Sequence, residues 1–443
     1  MTMIRAGLAE LDITPPLGSD MPGQFHSRYA SGILDPLYVK ALVLENDGYQ
    51  VALIAVDGLW IPFDIVRRVR SGLEKRLGIS ESIVGATHSH TGGPIGSWGD
   101  HTHDDAAYVD LVVSKSVDAA ALAAANLTAV RFRIGRERED GISFIRRFIM
   151  KDGKQDTNPG ILNPDIVKPA GEIDPEVISV RIEDLDGHVV GFLTNFACHP
   201  DVVGGDKVSA DYMGELSRVL KKTYGEHIVS VFYNGACGNI NHLDAFAGRF
   251  ISGEYDEAHY KRMGRVLAGK AIAATEKAPA KTYDVLSAAS EAISYPVRQM
   301  SVEQAEAGRT LAASERRSNA ELFAQDEKQL VDLFYAKQAV WMYEHPQAEQ
   351  EILITAIRMG DLAIASNPAE LFVEYGLKLK EHSPAPYTMV AELSNGSIGY
   401  VTTPDAIASG GYESRLCSSA KMASGAGDAI ADTGARLIEK LFG

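Results

Sequence analysis

Residues 38–56 of the chain read YVKALVLENDGYQVALIAV. The two apolar, β-branched runs of this stretch flank an Asn46-Asp-Gly turn, which is the pattern of a β-hairpin. The following segments read in turn as a helix, a short apolar strand and an alanine-rich helix: 62–77, 83–86 and 106–126. This alternation predicts an α/β (α+β layered) fold, in which a mixed β-sheet core is flanked by helices.

The rest of the chain continues the pattern, and no internal repeat or low-complexity linker interrupts it. Further strands are predicted at 177–182, 189–196, 228–233, 355–358 and 362–365, and a closing helix at 430–441. Residues 136–172, rich in Gly, Asp, Asn and Pro, are predicted to be a long functional or mobile loop. Residues 301–345 are a charged helical pair, read either as an insertion that caps the site or as a solvated hairpin. We therefore expect one domain over residues 1–443 with a helical insertion.

Composition excludes several classes of function. A net charge of −16 argues against binding of nucleic acid or anionic lipid, since both need a basic surface. No apolar run is long enough to span a bilayer, and the N-terminus has no secretory h-region. Three cysteines fit reduced thiols better than a disulfide framework. We expect a cytoplasmic protein without a membrane anchor that acts on a small molecule. A homo-oligomer is one interpretation of its assembly.

Two histidine motifs stand at predicted strand ends. Ile83-Val-Gly-Ala-Thr-His88-Ser-His90 runs into Thr-Gly-Gly-Pro, and residues two apart on a strand face the same side, so both imidazoles can reach one cavity. The strand at 189–196 runs into Ala-Cys-His199-Pro. The alternative for each motif is a structural histidine bonded to backbone; a metal or catalytic role is the other interpretation.

Two further strand ends carry polar residues. The strand at 228–233 leads into a glycine-rich loop, residues 234–239, whose N–H groups are candidates to bind an oxyanion; the loop lacks the Lys-Ser/Thr of a nucleotide-binding loop. The strand at 362–366 leads into Asn367-Pro-Ala-Glu370, where Glu370 is either a metal ligand or a residue that stabilises a helix N-terminus. Because ligands bind beside the carboxyl ends of strands in α/β sheets, a zinc site with two histidines, a carboxylate and an open water position is expected.

Several other polar residues are weaker candidates. Asp57 ends a strand, and His26 lies in the N-terminal region. His242 and Asp244 either contact the substrate or belong to a plain loop. His101 and His103 form another His-x-His pair in an Asp-rich loop, where a surface position is the better interpretation.

The same segments, in this order, resemble the neutral (non-lysosomal) ceramidase family. The matching pieces span nearly the whole chain: Gly7-Leu-Ala-Glu-Leu-Asp12-Ile-Thr14-Pro, Thr87-His-Ser-His-Thr-Gly-Gly-Pro94, Asn195-Phe-Ala-Cys-His-Pro200, Ser209-Ala-Asp211-Tyr, Asn367-Pro-Ala-Glu370, Tyr400-Val-Thr-Thr-Pro and Tyr412-Glu. The resemblance implies one Zn²⁺ per chain, held by His88, His199, Glu370 and Tyr400. It also implies active-site roles for His90, Tyr412 and either Arg146 or Arg147, the histidine and the arginine stabilising an oxyanion.

The chain also departs from the family pattern. The family's Gly-Asp-Val-Ser-Pro-Asn segment corresponds here to Gly238-Asn239-Ile-Asn241-His242-Leu, without serine, so a water activated by zinc is the better nucleophile. Asn239, Asn241 and His242 remain candidates for substrate contacts. The family's C-terminal immunoglobulin-like domain and its secretory signal have no counterpart in this sequence, so ceramide is an unexpected substrate. We expect hydrolysis of a small soluble amide; an ester or lactone hydrolase, another zinc-dependent reaction such as a lyase, and a non-catalytic metal-binding protein are the alternatives.

Overall fold

The computed structural model describes residues 3–97, 99, 102–246 and 257–443. Its strands are β1 (Arg5–Asp12), β2 (Gly32–Ile33), β3 (Tyr38–Asn46), β4 (Tyr49–Val56), β5 (Glu81–Ala86), β6 (Thr128–Arg138), β7 (Phe144–Ile145), β8 (Arg147–Met150), β9 (Gln155–Thr157), β10 (Ile166–Pro169), β11 (Glu176–Asp184), β12 (Val189–Phe196), β13 (Lys207–Val208), β14 (Val229–Asn234), β15 (Ile240–Asn241), β16 (Leu286–Pro296), β17 (Glu349–Met359), β18 (Leu362–Ser366), β19 (Ala369–Leu371), β20 (Tyr387–Ala391) and β21 (Gly399–Val401). Its helices are α1 (Phe63–Leu77), α2 (Ala106–Ala125), α3 (Asp211–Tyr224), α4 (Glu257–Lys277), α5 (Val302–Ser314), α6 (Asn319–Gln325), α7 (Glu327–Glu344), α8 (Val373–His382), α9 (Pro404–Ser409) and α10 (Ala426–Phe442), with a 3-10 turn at Tyr412–Ser414.

Two mixed sheets form the centre of the molecule. One has eight strands in the order β14-β12-β11-β6-β1-β3-β4-β5, and the other has four in the order β16-β17-β18-β20. Most neighbouring strands are antiparallel, but β4/β5, β12/β14 and β18/β20 are parallel pairs joined through a helix. The predicted mixed sheet core flanked by helices is therefore confirmed.

The chain folds as three units with the same topology, each β-β-β-α-β-α. Unit 1 is β1-β3-β4-α1-β5-α2, unit 2 is β6-β11-β12-α3-β14-α4 and unit 3 is β16-β17-β18-α8-β20-α10. In each unit the sheet order equals the chain order of its strands, and pairing of β1 with β6 joins units 1 and 2 into the eight-stranded sheet. This repeat lies in the strand order and the connections, and no repeated residue pattern in the sequence marks it.

The sheets pack face to face, with helices on their outer faces. Alternate residues of β3 face opposite sides: Val39 and Val43 pack towards α1 and α2, whereas Leu42 and Leu44 lie in a core shared with the four-stranded sheet. Ile364 of β18 belongs to that shared core. Helices α3 and α4 cover unit 2, and α8 and α10 cover unit 3. The result is a four-layer α/β/β/α arrangement whose sheets are buried on both faces.

The insertion at 301–345 has three helices where a pair was predicted. Ser301 and Ser318 each begin a helix with a capping box, and Asp326 caps α7, so polar caps divide the segment into α5, α6 and α7. On its inner side Phe334 of α7 meets Phe25 edge-to-face, with ring centroids 5.1 Å apart. The segment predicted as a loop at 136–172 instead contains the short strands β7 to β10.

No helix within the described residues is both long and apolar enough to cross a lipid bilayer.

Candidate functional site

One polar group from each unit reaches a common point beyond the ends of the parallel strands. His88 follows β5 of unit 1, His199 follows β12 of unit 2, and Glu370 lies in β19 just after β18 of unit 3. Carboxyl ends of parallel strands are where α/β proteins place ligands. Glu370 lies in the connection between strand β18 and helix α8, as predicted, and pairs in register with Tyr400 of β21. The N-cap of α8 is Phe372, so Glu370 does not cap the helix.

The three side chains lie within metal-binding reach of one another. The Nε2 atoms of His88 and His199 are 3.0 Å apart. Glu370 Oε2 is 3.4 Å from Nε2 of His88 and 3.9 Å from Nε2 of His199. Two nitrogen ligands of a tetrahedral zinc lie about 3.3 Å apart, given bonds of 2.0–2.1 Å. The spacing of the two imidazoles therefore fits a single zinc ion.

The hydrogen bonds of both imidazoles leave Nε2 as the atom that faces the site. His88 Nδ1–H donates to the Leu59 carbonyl at 2.7 Å, and His199 Nδ1–H donates to the Cys237 carbonyl at 3.4 Å, so each Nε2 directs a lone pair at the other. Burial opposes a charge on His88, but the Glu370 carboxylate outweighs it and raises the pKa of His88. Burial and the Arg146 guanidinium lower the pKa of His199. The Glu370 carboxylate thus favours positive charge at His88, whereas burial and Arg146 disfavour it at His199.

His90 completes a buried group of three histidines. Its ring centroid lies 4.9 Å from that of His88 and 5.1 Å from that of His199, and ligand nitrogens of all three lie within 4.8 Å of one another. His90 Nδ1–H donates to the Gly23 carbonyl at 3.1 Å, and Nε2 has no hydrogen-bond partner among the described residues. Burial and His88 lower the pKa of His90 to about 4. A neutral His90 with this tautomer can accept a hydrogen bond but cannot donate one to an oxyanion.

The shared cavity of His88 and His90 was predicted from their positions two apart on a strand, and this explanation was wrong. Strand β5 ends at Ala86, and both histidines lie in the loop beyond it. His88 has φ of 70°, a left-handed conformation that costs a non-glycine residue about 1–2 kcal/mol. Strained backbone of this kind is concentrated at functional sites. The two imidazoles converge because the loop turns back on itself, and not because they share a strand face.

Tyr400 and Tyr412 line the cavity in front of Glu370. Their ring centroids are 5.6 Å apart. Burial raises the pKa of both phenols; for Tyr400 the charge of Glu370 acts in the same direction while Arg146 opposes it. Arg146 Nη2 donates to the Tyr400 hydroxyl at 3.2 Å and to the Gly238 carbonyl at 2.6 Å. Arg146 therefore reaches the site through Tyr400.

The two candidate arginines point in different directions. Arg146 lies behind Tyr400, whereas Arg147 lines a separate cavity of about 490 Å³ with its guanidinium over the Phe372 ring. Arg147 Nη1 donates to Glu413 at 2.7 Å and Nη2 donates to the Gly410 carbonyl at 2.6 Å. Arg146 is the one of the pair that contacts the site.

Most of the weaker candidates lie elsewhere. Asp57 is fully buried in an ion pair with Lys40, and His26 stacks on Phe323 with ring centroids 3.6 Å apart. Asn239 Oδ1 accepts from the Val373 N–H, and its Nδ2 donates to Glu374. None of these three residues lines the cavity at His88, so the structure does not bring them to the site.

The remaining candidates follow the same pattern. Asn241 Nδ2 donates to Asn158 Oδ1 at 2.9 Å, and His242 Nδ1 is 3.2 Å from Asp201 Oδ1. Neither of these residues lines the cavity at His88. Asp244 is buried, His103 is exposed as predicted, and His101 lies outside the described residues.

Three N–H groups of the 234–239 loop already have acceptors within the chain. Its N–H groups at Gly235, Cys237 and Gly238 donate within the chain, to the Phe196 carbonyl, to Glu392 and to the Leu371 carbonyl. The loop packs so closely on β19 that a Cβ at Gly238 would lie 2.5 Å from the Glu370 carbonyl oxygen. Its glycines serve this packing, so the predicted role in binding an oxyanion is wrong for these three groups.

Two buried acids were missed by sequence reasoning. Glu392, directly after β20, accepts from the Cys237 thiol at 2.8 Å and from the Cys237 N–H at 3.0 Å, and burial raises its pKa to about 7. Because the Cys237 carbonyl accepts a hydrogen bond from His199 Nδ1–H, this network supports a histidine of the site. Glu413 accepts from Arg146 and Arg147. For Glu392 the signal was its position directly after the apolar strand Tyr387–Ala391, a fifth strand that ends at a polar residue.

The site opens on a cavity of about 670 Å³. His88, His90, Glu370, Tyr400 and Tyr412 line its inner end. Its outer wall carries charged side chains from α1, α2 and the flanking loops: Asp64, Arg67, Arg68, Asp104, Asp110 and Lys421. This volume suits a small-molecule ligand.

Comparison with solved structures places the fold. No protein-family model matches the chain, and no curated protein matches it in sequence. The crystal structure of neutral ceramidase from Pseudomonas aeruginosa aligns with 100% of this chain and 75% of its own, with a TM-score of 0.76 and 18% sequence identity. A ceramidase complexed with C2 aligns with 100% of this chain and 76% of its own, with a TM-score of 0.74 and 17% identity. The chain has the neutral ceramidase fold, and at the level of fold the resemblance found in its motifs is confirmed.

Proposed function

We propose that the protein is a zinc-dependent hydrolase that cleaves the C–N bond of a small polar amide, with one Zn²⁺ per chain. The observation that carries the proposal is the opposed pair of Nε2 atoms of His88 and His199, 3.0 Å apart beside Glu370 at the inner end of a cavity. Two imidazoles and a carboxylate are a common ligand set of hydrolytic zinc. His88, His199, Glu370 and Tyr400 would hold the ion. When bound, zinc lowers the pKa of water towards about 7 and polarises a carbonyl group.

The neighbouring side chains have complementary roles. His90 stays neutral with its Nε2 lone pair free, so it accepts a hydrogen bond from the attacking water or from the substrate. The phenol of Tyr412, whose pKa burial raises, stays protonated and donates to the carbonyl oxygen as negative charge develops there. Arg146 holds Tyr400 in place.

The cavity supports a small, polar substrate. The solved structures with this fold are named as ceramidases. Here six charged side chains line a cavity of about 670 Å³ together with apolar ones that include Trp60, Phe63 and Ile95. Desolvation of the charged groups would oppose binding of long alkyl chains. An amide with polar groups on one side of the scissile bond fits these walls better.

The test is a hydrolysis panel with controlled metal content. Protein loaded with zinc, protein treated with a chelator and protein reloaded with zinc are each offered soluble N-acyl amino acids, N-acyl anilides, short esters and lactones. We expect amide hydrolysis that the chelator abolishes and zinc restores. Turnover of esters or lactones alone would replace the amide assignment, and zinc binding without any turnover would indicate a non-catalytic metal-binding protein.

A further inference from the structure

Glu413 is a buried carboxylate shared by two arginines. Its Oε1 accepts from Arg146 Nε at 2.9 Å, and its Oε2 accepts from Arg147 Nη1 at 2.7 Å and from the Thr157 hydroxyl at 2.6 Å. The Glu413 side chain is 0% exposed, and those of Arg146 and Arg147 are 4% and 2% exposed. All three charges are therefore shielded from water, so each depends on its partners for stabilisation.

This carboxylate is connected to both tyrosines of the site. Through Arg146 it reaches the Tyr400 hydroxyl, to which Arg146 Nη2 donates at 3.2 Å. Through the backbone it is joined to Tyr412, the preceding residue of the same 3-10 turn. The Tyr412 N–H donates to the hydroxyl of Thr157, whose own hydrogen goes to Glu413. One acid thus ties together the elements that carry the two phenols.

The geometry indicates what this connection does. Arg146 Nη2 donates to the Tyr400 hydroxyl at 3.2 Å, so the position of the guanidinium fixes where that oxygen lies. Glu413 Oε1 accepts from Nε of the same guanidinium at 2.9 Å. The guanidinium is therefore held between the Glu413 carboxylate and the Tyr400 hydroxyl.

We propose that Glu413 is a positioning residue, which holds Arg146 against Tyr400 and thereby keeps the Tyr400 oxygen in place to bind the metal ion. This inference rests on the proposed metal site but not on the identity of the substrate. Glu413 does not line the cavity at His88, and its link to Tyr400 runs through Arg146.

The first test measures zinc affinity by competition with a chromogenic chelator. Glu413→Gln keeps one acceptor oxygen and replaces the other with an amide donor, so one arginine loses its acceptor. We expect the zinc Kd to rise about 10- to 100-fold, the usual effect of removing a residue that supports a metal ligand. Glu413→Asp, which keeps the charge with a shorter reach, should lie between. Gln155→Ala is the matched control, because Gln155 accepts only from Arg147 in this network.

The second test separates positioning from general damage. In copper-loaded protein a tyrosinate ligand gives a charge-transfer absorption, which Tyr400→Phe should abolish and Glu413→Gln should weaken, while Gln155→Ala should leave it unchanged. Arg146→Lys should raise the zinc Kd by a similar factor. The zinc Kd of the double variant Arg146→Lys/Glu413→Gln should be no higher than that of the single variant with the higher Kd. If Glu413→Gln does not fold, Glu413→Asp and Arg146→Lys carry the test.

Several results would overturn the inference. These are an unchanged zinc Kd and absorption in the Glu413 variants, losses that multiply in the double variant, or a wild-type copper protein without the tyrosinate band. None of them depends on hydrolysis. A protein that binds zinc through Tyr400 but hydrolyses nothing would refute the proposed function and leave the role of Glu413 standing.

Discussion

His88 and His199 present their Nε2 atoms to each other at 3.0 Å, although 111 residues separate them along the chain. Each Nδ1–H is fixed on a backbone carbonyl, so two lone pairs meet in a buried pocket beside a carboxylate. Such an arrangement is repulsive unless a proton or a metal ion lies between the nitrogens. The contact links unit 1 with unit 2, and Glu370 adds unit 3, so the fold itself assembles the ligand set.

Removing either imidazole should remove the metal. We expect His88→Ala and His199→Ala to lose bound zinc and hydrolytic activity while keeping the wild-type circular dichroism spectrum, because both side chains serve the site and not the hydrophobic core. Metal content is measured by mass spectrometry after dialysis. His103→Ala, at an exposed histidine, is the control and should keep both properties. Full metal content in either ligand variant would refute the assignment.

The strand ends were predictable from local sequence, but the arrangement of the sheets was not. Apolar runs that stop at a histidine or at Asn-Pro-Ala-Glu370 mark the site because buried strands end where polar groups begin. The face-to-face packing of Leu42 against the four-stranded sheet depends on contacts between distant segments, which no local pattern encodes. Asp57 was misplaced because a strand-end acid looks the same in sequence whether it meets a ligand or a buried lysine. Glu413 was missed because its partners lie more than 250 residues away.

His90 should affect rate without affecting metal content. Its Nε2 faces the site without a partner among the described atoms, and its Nδ1 is held by Gly23. We expect His90→Ala to keep its zinc and to lower kcat about 100- to 10,000-fold, as loss of a positioned proton acceptor does. Steady-state kinetics on zinc-loaded protein, with metal content measured in parallel, provide the check. Loss of zinc equal to that of His199→Ala would instead make His90 a ligand.

Asp57 should matter for stability and not for catalysis. Lys40 Nζ lies 3.1 Å from Asp57 Oδ2, and the two side chains are 2% and 0% exposed. Lys40→Met leaves the carboxylate uncompensated, which should lower the free energy of unfolding by about 3–5 kcal/mol. Arg5→Met removes an ion pair with Glu45 at an exposed arginine, and it should lower the free energy of unfolding by at most about 1 kcal/mol.

Urea unfolding measures both stability changes, and the hydrolysis assay completes the comparison. The Lys40→Met protein that remains folded should turn over substrate at the wild-type rate. A large fall in kcat with little change in stability would return Asp57 to the active site.

Asp35 should make stability depend on pH in a direction opposite to that of most carboxylates. Burial raises its pKa from 3.8 to about 6, against the opposing hydrogen bonds from Ser209 and the Ala210 N–H. Because the folded protein binds this proton more tightly than the unfolded chain does, the contribution to stability is complete below pH 3.8. It is lost as the pH rises through about 6. The full shift corresponds to at most about 3 kcal/mol.

Asp35→Asn should remove this dependence while keeping the local contacts. Asparagine Oδ1 still accepts from the Ala210 N–H, and its Nδ2 donates to the Ser209 hydroxyl oxygen, which can accept it. Urea unfolding of chelator-treated protein at pH 4, 5.5 and 7.5 gives the comparison, with Asp47→Asn in an exposed turn as the control. Between pH 4 and pH 7.5 the free energy of unfolding of Asp35→Asn, relative to that of wild type, should rise by about 1–3 kcal/mol. For the control this difference should not change. A difference between Asp35→Asn and wild type that stays constant over this range would show that Asp35 keeps an ordinary pKa in the folded protein, since only a shifted pKa makes that difference change with pH.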